Sequence, residues 1–123
     1  MDELNVKYLG NKSFQAQSGE HTFIIENPPE VFMASLGSCI GVYITRYCKT
    51  AKLNTDGLEI RLGWSLSDDK SKIKSINVKI ELPNAEVGKR RDALLQVAHH
   101  CLIHNTIQNP PEIKMSLKAR DIS

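Results

Sequence analysis

Apolar positions along this chain change their period several times, and each change marks an element. Leu4, Val6 and Tyr8 alternate with polar residues until Gly10-Asn11, which predicts a short strand running into a hairpin turn. Ser13 to Gln17 and His21 to Glu26 are expected as two more short strands around a turn at Ser18-Gly19-Glu20. The pattern then becomes continuous. From Val31 to Cys48 only Arg46 is charged, and Ala34, Ser35, Gly37, Ser38 and Gly41 are small. A helix apolar on all sides is a buried helix, and small side chains let another backbone approach it. Its start is marked by Asn27, whose side chain can cap the free amides of the first turn, and by Pro28, whose fixed φ suits the first helical position. Glu30 falls at the capping-box position. The helix is expected to end near Lys49 to Lys52.

Beyond the breaker Asn54-Thr55-Asp56-Gly57, Leu58, Ile60, Leu62, Trp64 and Leu66 alternate strictly, predicting a long strand. Asp68-Asp69-Lys70 turns the chain. Ile76, Val78, Ile80 and Leu82 then form a second long strand, with Ile73 out of phase as at a bulge. A second helix is expected from between Ala85 and Lys89. Leu94, Leu95, Ala98, Cys101 and Leu102 keep helical spacing, and Lys89, Arg90, Arg91 and Asp92 form the wet side. Asn109-Pro110-Pro111 closes it, and Ile113, Met115 and Leu117 predict a last strand. The order is β-β-β-α-β-β-α-β. Strands arriving in hairpins give an α+β fold with antiparallel pairing, as a single domain spanning residues 1–123.

Composition changes this picture little: 41% hydrophobic and 24% charged residues are ordinary for a globular chain. No run reaches the roughly 20 apolar residues of a membrane span, and Met1-Asp2-Glu3-Leu4-Asn5 is too polar for a signal peptide. The expectation is a cytoplasmic protein with no membrane contact. A net charge of +2 without a dense basic block speaks against nucleic acid as a partner. So apolar a helix is hard to cover in so short a chain, and a second copy would supply the missing wall. A homodimer is expected on shape alone.

Three cysteines are too few for a disulfide framework here, which leaves reactive or merely buried thiols. Cys39 and Cys101 lie far apart in sequence, each within a predicted helix among apolar neighbours, and both fit simple packing as well as chemistry. Cys48 follows Cys39 by nine positions, which at about 100° per residue puts it on the opposite face. It reads as core filler.

The segment Pro29-Glu30-Val31-Phe32-Met33-Ala34-Ser35-Leu36-Gly37-Ser38-Cys39 resembles the first-cysteine helix of the OsmC/Ohr family. Cys101-Leu102-Ile103-His104-Asn105-Thr106-Ile107 resembles that family's second-cysteine segment. The resemblance runs from about Phe14 to Leu117, and Ser13 to Gly19 fits the plain OsmC-like branch. It implies an intertwined homodimer with antiparallel sheets wrapped around two central helices and active sites at the interface. It also implies a thiol peroxidase that reduces organic hydroperoxides and acts in oxidative stress defence. Cys39 would be the peroxidatic thiolate, becoming a sulfenic acid, and Cys101 the resolving thiol. A dithiol or thiol reductant would reset their disulfide. Phe32, Leu36 and Tyr43 would supply apolar walls for the hydroperoxide.

The family's peroxidases hold the cysteine as a thiolate with an arginine from the N-terminal strands, yet no arginine precedes Arg46 here. Lys12 is the nearest cation, although a lysine lacks the rigid fork of arginine. Arg46 returns to the face of Cys39 about 10 Å along the axis. The family's partner glutamate lies where this chain has Pro29, with Glu30 one residue later and turned by about 100°. His100 offers another route to a polarised thiol. His100 and His104, four apart around Cys101, also have the spacing of N/S metal ligands, but no fourth ligand is near unless Cys39 comes from across the interface. Neither a resident metal nor a cofactor is expected. The competing expectation is a non-peroxidatic relative that binds a small hydrophobic or thiol ligand in the interface pocket.

Overall fold

The computed structural model describes residues 1–120, and the last three residues of the expected domain lie outside them. Three strands come first, β1 (Asn5–Gly10), β2 (Ser13–Ser18) and β3 (His21–Ile25), joined in an antiparallel meander. Gly19, at φ +57°, takes the left-handed conformation that the tight turn between β2 and β3 demands. The register pairs Val6 with Ala16 and Ala16 with Phe23, and likewise Tyr8 with Phe14 and Phe14 with Ile25. Side chains alternate across a strand, so these six residues share one apolar face. Ala16 is buried, but Val6, Tyr8, Phe14 and Phe23 remain exposed.

The helix α1 (Pro28–Ala51) starts as its sequence dictates. Asn27 Oδ1 accepts from the Glu30 N–H at 3.2 Å, and Pro28 is the first helical residue. It ends on Lys52 in the left-handed region, whose N–H donates to the Cys48 and Lys49 carbonyls. The long hairpin β4 (Glu59–Leu66) and β5 (Ile73–Glu81) follows. Its register slips between Ser65 and Leu66, opposite Ser75 and Ile73, which is the bulge expected from the phase of Ile73.

The core lies where α1 meets this hairpin and the second helical region. Leu36, Ile40, Ile44 and Cys48 are its α1 face, Leu94, Ala98 and Cys101 come from the opposite side, and Ile60, Leu62, Ile76 and Ile80 pack against both. Gly37 and Gly41 let α1 settle onto β4, with Leu62 and Ile60 above them.

Three expectations need correction. The second helix is not continuous: a single 3₁₀ turn (Gly88–Arg90) leads into α2 (Arg91–His99), and α3 (Leu102–Gln108) begins after a break at His100-Cys101. Cys101 is therefore the N-cap of α3 and not a mid-helix residue. The strand expected at Ile113–Leu117 does not form within the single chain, because a strand needs a sheet edge to pair with and this segment meets none; all three apolar residues stand exposed. Finally, α1 is long and apolar enough to cross a membrane by length and composition alone. Its apolar face, however, is spent on protein packing, with Ile44 and Cys48 wholly enclosed.

Candidate functional site

A thiol pair forms where α1 passes the break between α2 and α3. Cys39 sits half-buried in the middle of α1 and packs against the core. Cys101 belongs to the core and is 0% exposed. Its extended backbone (φ −68°, ψ 153°) turns the sulfur back over the first turn of α3, where Sγ accepts from the His104 N–H at 3.3 Å. A thiol thus does the capping that serine or aspartate commonly does. Burial pushes the Cys101 thiol up. The His104 N–H pulls the other way, and the neighbouring Cys39 thiol raises it further. The two cysteines singled out from the sequence therefore lie in one packed cluster within one chain. Cys48 is fully enclosed among the core residues, as expected of filler, and burial pushes its thiol up as well.

The proposed activators are dispersed. Lys12 lies exposed in the turn between β1 and β2. Glu30 is in the first turn of α1, where its N–H is committed to the cap. The Arg46 guanidinium lies over the Tyr43 ring, 5.7 Å from its centre, so the charge is engaged along the same helix by a cation–π contact. His100 Nδ1 is 2.6 Å from the Gln96 carbonyl oxygen at the end of α2. Among the described residues, none of these four is hydrogen-bonded to Cys39. Of the three pocket candidates, Leu36 is in the core, Tyr43 packs against it and Phe32 stands on the exposed side of α1.

One feature escaped the sequence reading. His99 and His104, not His100 and His104, come together, with ring centres 5.3 Å apart. Four-residue spacing holds only within one helix, and the break at His100-Cys101 resets it. Both rings line an apolar groove of about 350 Å³ with Leu36, Ile40, Ile80 and Ala98. No group of three or more potential ligands is placed to hold a metal ion among the described residues.

Comparison with known proteins bears on this arrangement. A family model described as OsmC-like protein matches residues 24–116. Among solved structures, an OsmC-like protein from Mycoplasma pneumoniae superposes with a TM-score of 0.76 at 17% identity, over 89% of both chains. A hypothetical protein from Aquifex aeolicus VF5 gives 0.74 at 19% identity, again over 89% of both. An OsmC-like hydroperoxide resistance protein from Jannaschia sp. CCS1 gives 0.59 at 19% identity, covering 97% of this chain and 93% of its own. At these identities the likeness is one of fold. Curated proteins give no match by sequence.

Proposed function

Because the chain belongs to the OsmC-like family, we propose that it is a thiol-dependent peroxidase that reduces organic hydroperoxides through a Cys39/Cys101 cycle. The observation that carries this reading is the packing of a half-buried thiol, Cys39, against the core cluster that holds a buried one, Cys101. In the first step the Cys39 thiolate attacks a peroxide oxygen and the O–O bond breaks. The alkoxide leaves as an alcohol after taking a proton, and the sulfur becomes a sulfenic acid. Cys101 then attacks that sulfur, a disulfide forms and water departs. A dithiol reductant exchanges with the disulfide, is itself oxidised, and returns both cysteines to thiols. Burial of Cys101 suits the resolving role, since it keeps that sulfur from meeting peroxide directly. The neighbouring groove, with Leu36 in its wall, would take an apolar tail.

The assembly proposed for this cycle is a homodimer working in the cytoplasm, in defence against oxidative stress. The uncovered apolar face of the three-stranded sheet supports the dimer. The structure described as a hydroperoxide resistance protein supports the activity.

The test is a stopped-flow reaction of the reduced protein with cumene hydroperoxide and with hydrogen peroxide, followed by disulfide mapping. Two thiols should be lost quickly, faster with the organic peroxide, and a Cys39–Cys101 disulfide should appear. Cys39→Ser should abolish turnover, and unchanged peroxide consumption in that variant would sink the proposal. A second reading is favoured by the lack of a cation hydrogen-bonded to Cys39 among the described residues: binding of a small hydrophobic or thiol ligand at the same place. Oxidation no faster than that of a free thiol, together with saturable binding of an apolar ligand, would establish it instead.

A further inference from the structure

We propose that the Cys39–Cys101 disulfide is opened from one side only: the reductant thiolate attacks Cys39 Sγ, and Cys101 leaves as the thiolate into the first turn of α3. This rests on the two-cysteine cycle above and assigns the direction of its reset.

Thiol–disulfide exchange proceeds by attack on one sulfur and departure of the other, so access and the stability of the leaving thiolate decide which bond partner is displaced. Access separates the two sulfurs sharply. Cys101 has no exposed surface and is enclosed with Ile44, Leu94 and Ala98, so reaching it means opening the core. Cys39 is half-buried on the flank of α1.

The leaving group points the same way. Cys39 is mid-helix, where backbone N–H groups are already bonded to carbonyls four residues earlier. Cys101 instead precedes a helix, where first-turn N–H groups are free, and that of His104 already points at its sulfur. Burial works against a thiolate at Cys101, and this donor offsets part of that cost. In the exchange, an external thiolate forms a bond to Cys39 sulfur as the Cys39–Cys101 bond breaks, and the electron pair goes to Cys101, which then takes a proton. A second thiol of the reductant attacks the reductant's own sulfur in the mixed disulfide and releases Cys39. Peroxide and reductant therefore enter by the same opening.

The experiment makes the disulfide with diamide, so that no peroxide chemistry is needed. A brief pulse of glutathione follows, with acid quenching and peptide mapping. The adduct should fall on Cys39 in roughly tenfold or greater excess over Cys101. Equal labelling, or an adduct mainly on Cys101, overturns the assignment. Failure of diamide to link the pair overturns it together with the two-cysteine cycle. Opening at Cys39 in a protein inert to peroxides would remove only the peroxidase reading. The leaving-group role is read separately from His104→Pro, which removes the donating N–H, against His104→Ala, which keeps it. Proline should slow opening of the diamide-made disulfide by roughly tenfold, the weight of one hydrogen bond to a charged group. Alanine should leave the rate unchanged, and equal rates in the two variants would refute this role. The glutathione map on the unaltered chain decides the entry side even if the proline variant folds poorly.

Discussion

Replacing Gly37 and Gly41 by alanine, one at a time, measures how closely α1 lies on the β4–β5 hairpin. Both positions are helix-interior, where alanine is favoured over glycine by about 0.8–1.0 kcal/mol. The neighbours then decide the sign. At Gly41 an added Cβ meets Ile60 Cδ1 at 3.4 Å, close to ordinary contact. Most of the propensity gain should survive there, giving a stabilisation of about 0.5–1 kcal/mol. At Gly37 the Cβ would stand 2.8 Å from Leu62 Cδ1, whereas carbon atoms prefer about 3.5–4.0 Å. Leu62 must turn or shift. Although the clashing atom is the end of a side chain, that side chain packs against the core and has limited room. Overpacking of this kind costs about 1–3 kcal/mol, so Gly37→Ala should come out destabilised by up to about 2 kcal/mol. Urea unfolding of both variants at one fixed protein concentration is the assay, with unchanged m-values as the control on the unfolded state. A Gly37→Ala protein at least as stable as Gly41→Ala would refute the close approach of α1 to Leu62.

Cys48→Ser places a hydroxyl in a fully enclosed apolar site, and a loss of about 1–3 kcal/mol is expected in the same unfolding assay. Because burial raises the Cys48 and Cys101 thiols above the ordinary value of 9.0, the folded state holds protons there that the unfolded chain releases. Their contribution to stability is complete below that value and is lost as pH rises through the folded-state values, so the unfolding midpoint should fall on the alkaline side. Cys48→Ala should make that fall shallower, and an unchanged alkaline limb would contradict the burial. At the hairpin turn the Ser71 and Ser67 hydroxyls hold the Asp69 carboxyl down at about 2. Its share of stability is present above the ordinary value of 3.8 and lost as pH falls through about 2. Asp69→Asn should flatten the acid limb of a pH titration of the unfolding midpoint, and an identical limb would rule the turn out as its source.

Local signals in the sequence were legible wherever the structure uses local rules. The Asn27 cap, the proline start, the strict alternation from Leu58 to Leu66 and the bulge beside Ile73 all appear in place. Cys39 also packs against the core that holds Cys101; their pairing as a redox couple is what the family resemblance implied, and spacing alone left it open. The break at His100-Cys101 was invisible for a physical reason. Leu94, Ala98, Cys101 and Leu102 continue helical spacing, and neither glycine nor proline interrupts them. What stops the helix is tertiary: the Cys101 sulfur is held in the core and from there caps the next helix. Thiols are not among the usual capping groups, so no residue code announces it. The strand expected at Ile113–Leu117 failed for a complementary reason. Alternation reports which faces are apolar, while pairing depends on an edge that sequence does not name.

The apolar face of the β1–β3 sheet carries the same logic to the scale of the assembly. Val6 is 52% exposed, Tyr8 64% and Phe23 44%, although their alternation is that of a half-buried sheet. The polar face, with Asn5, Lys7, Gln15, Gln17 and Thr22, is already the one suited to water. A sheet does not order an apolar face for solvent, because each such side chain forgoes about 1.5–3 kcal/mol of burial. On α1 the opposite flank, with Phe32 and Val42, is likewise uncovered. In the proposed homodimer both deficits can be met at once, since a two-fold axis presents each surface to its complement twice. Cys39 lies on the same helix as the uncovered flank, so the partner that closes the fold would also border the opening through which peroxide and reductant reach the thiol. That gives the dimer a chemical role: the surfaces that stabilise the assembly would also shape the mouth of the thiol site.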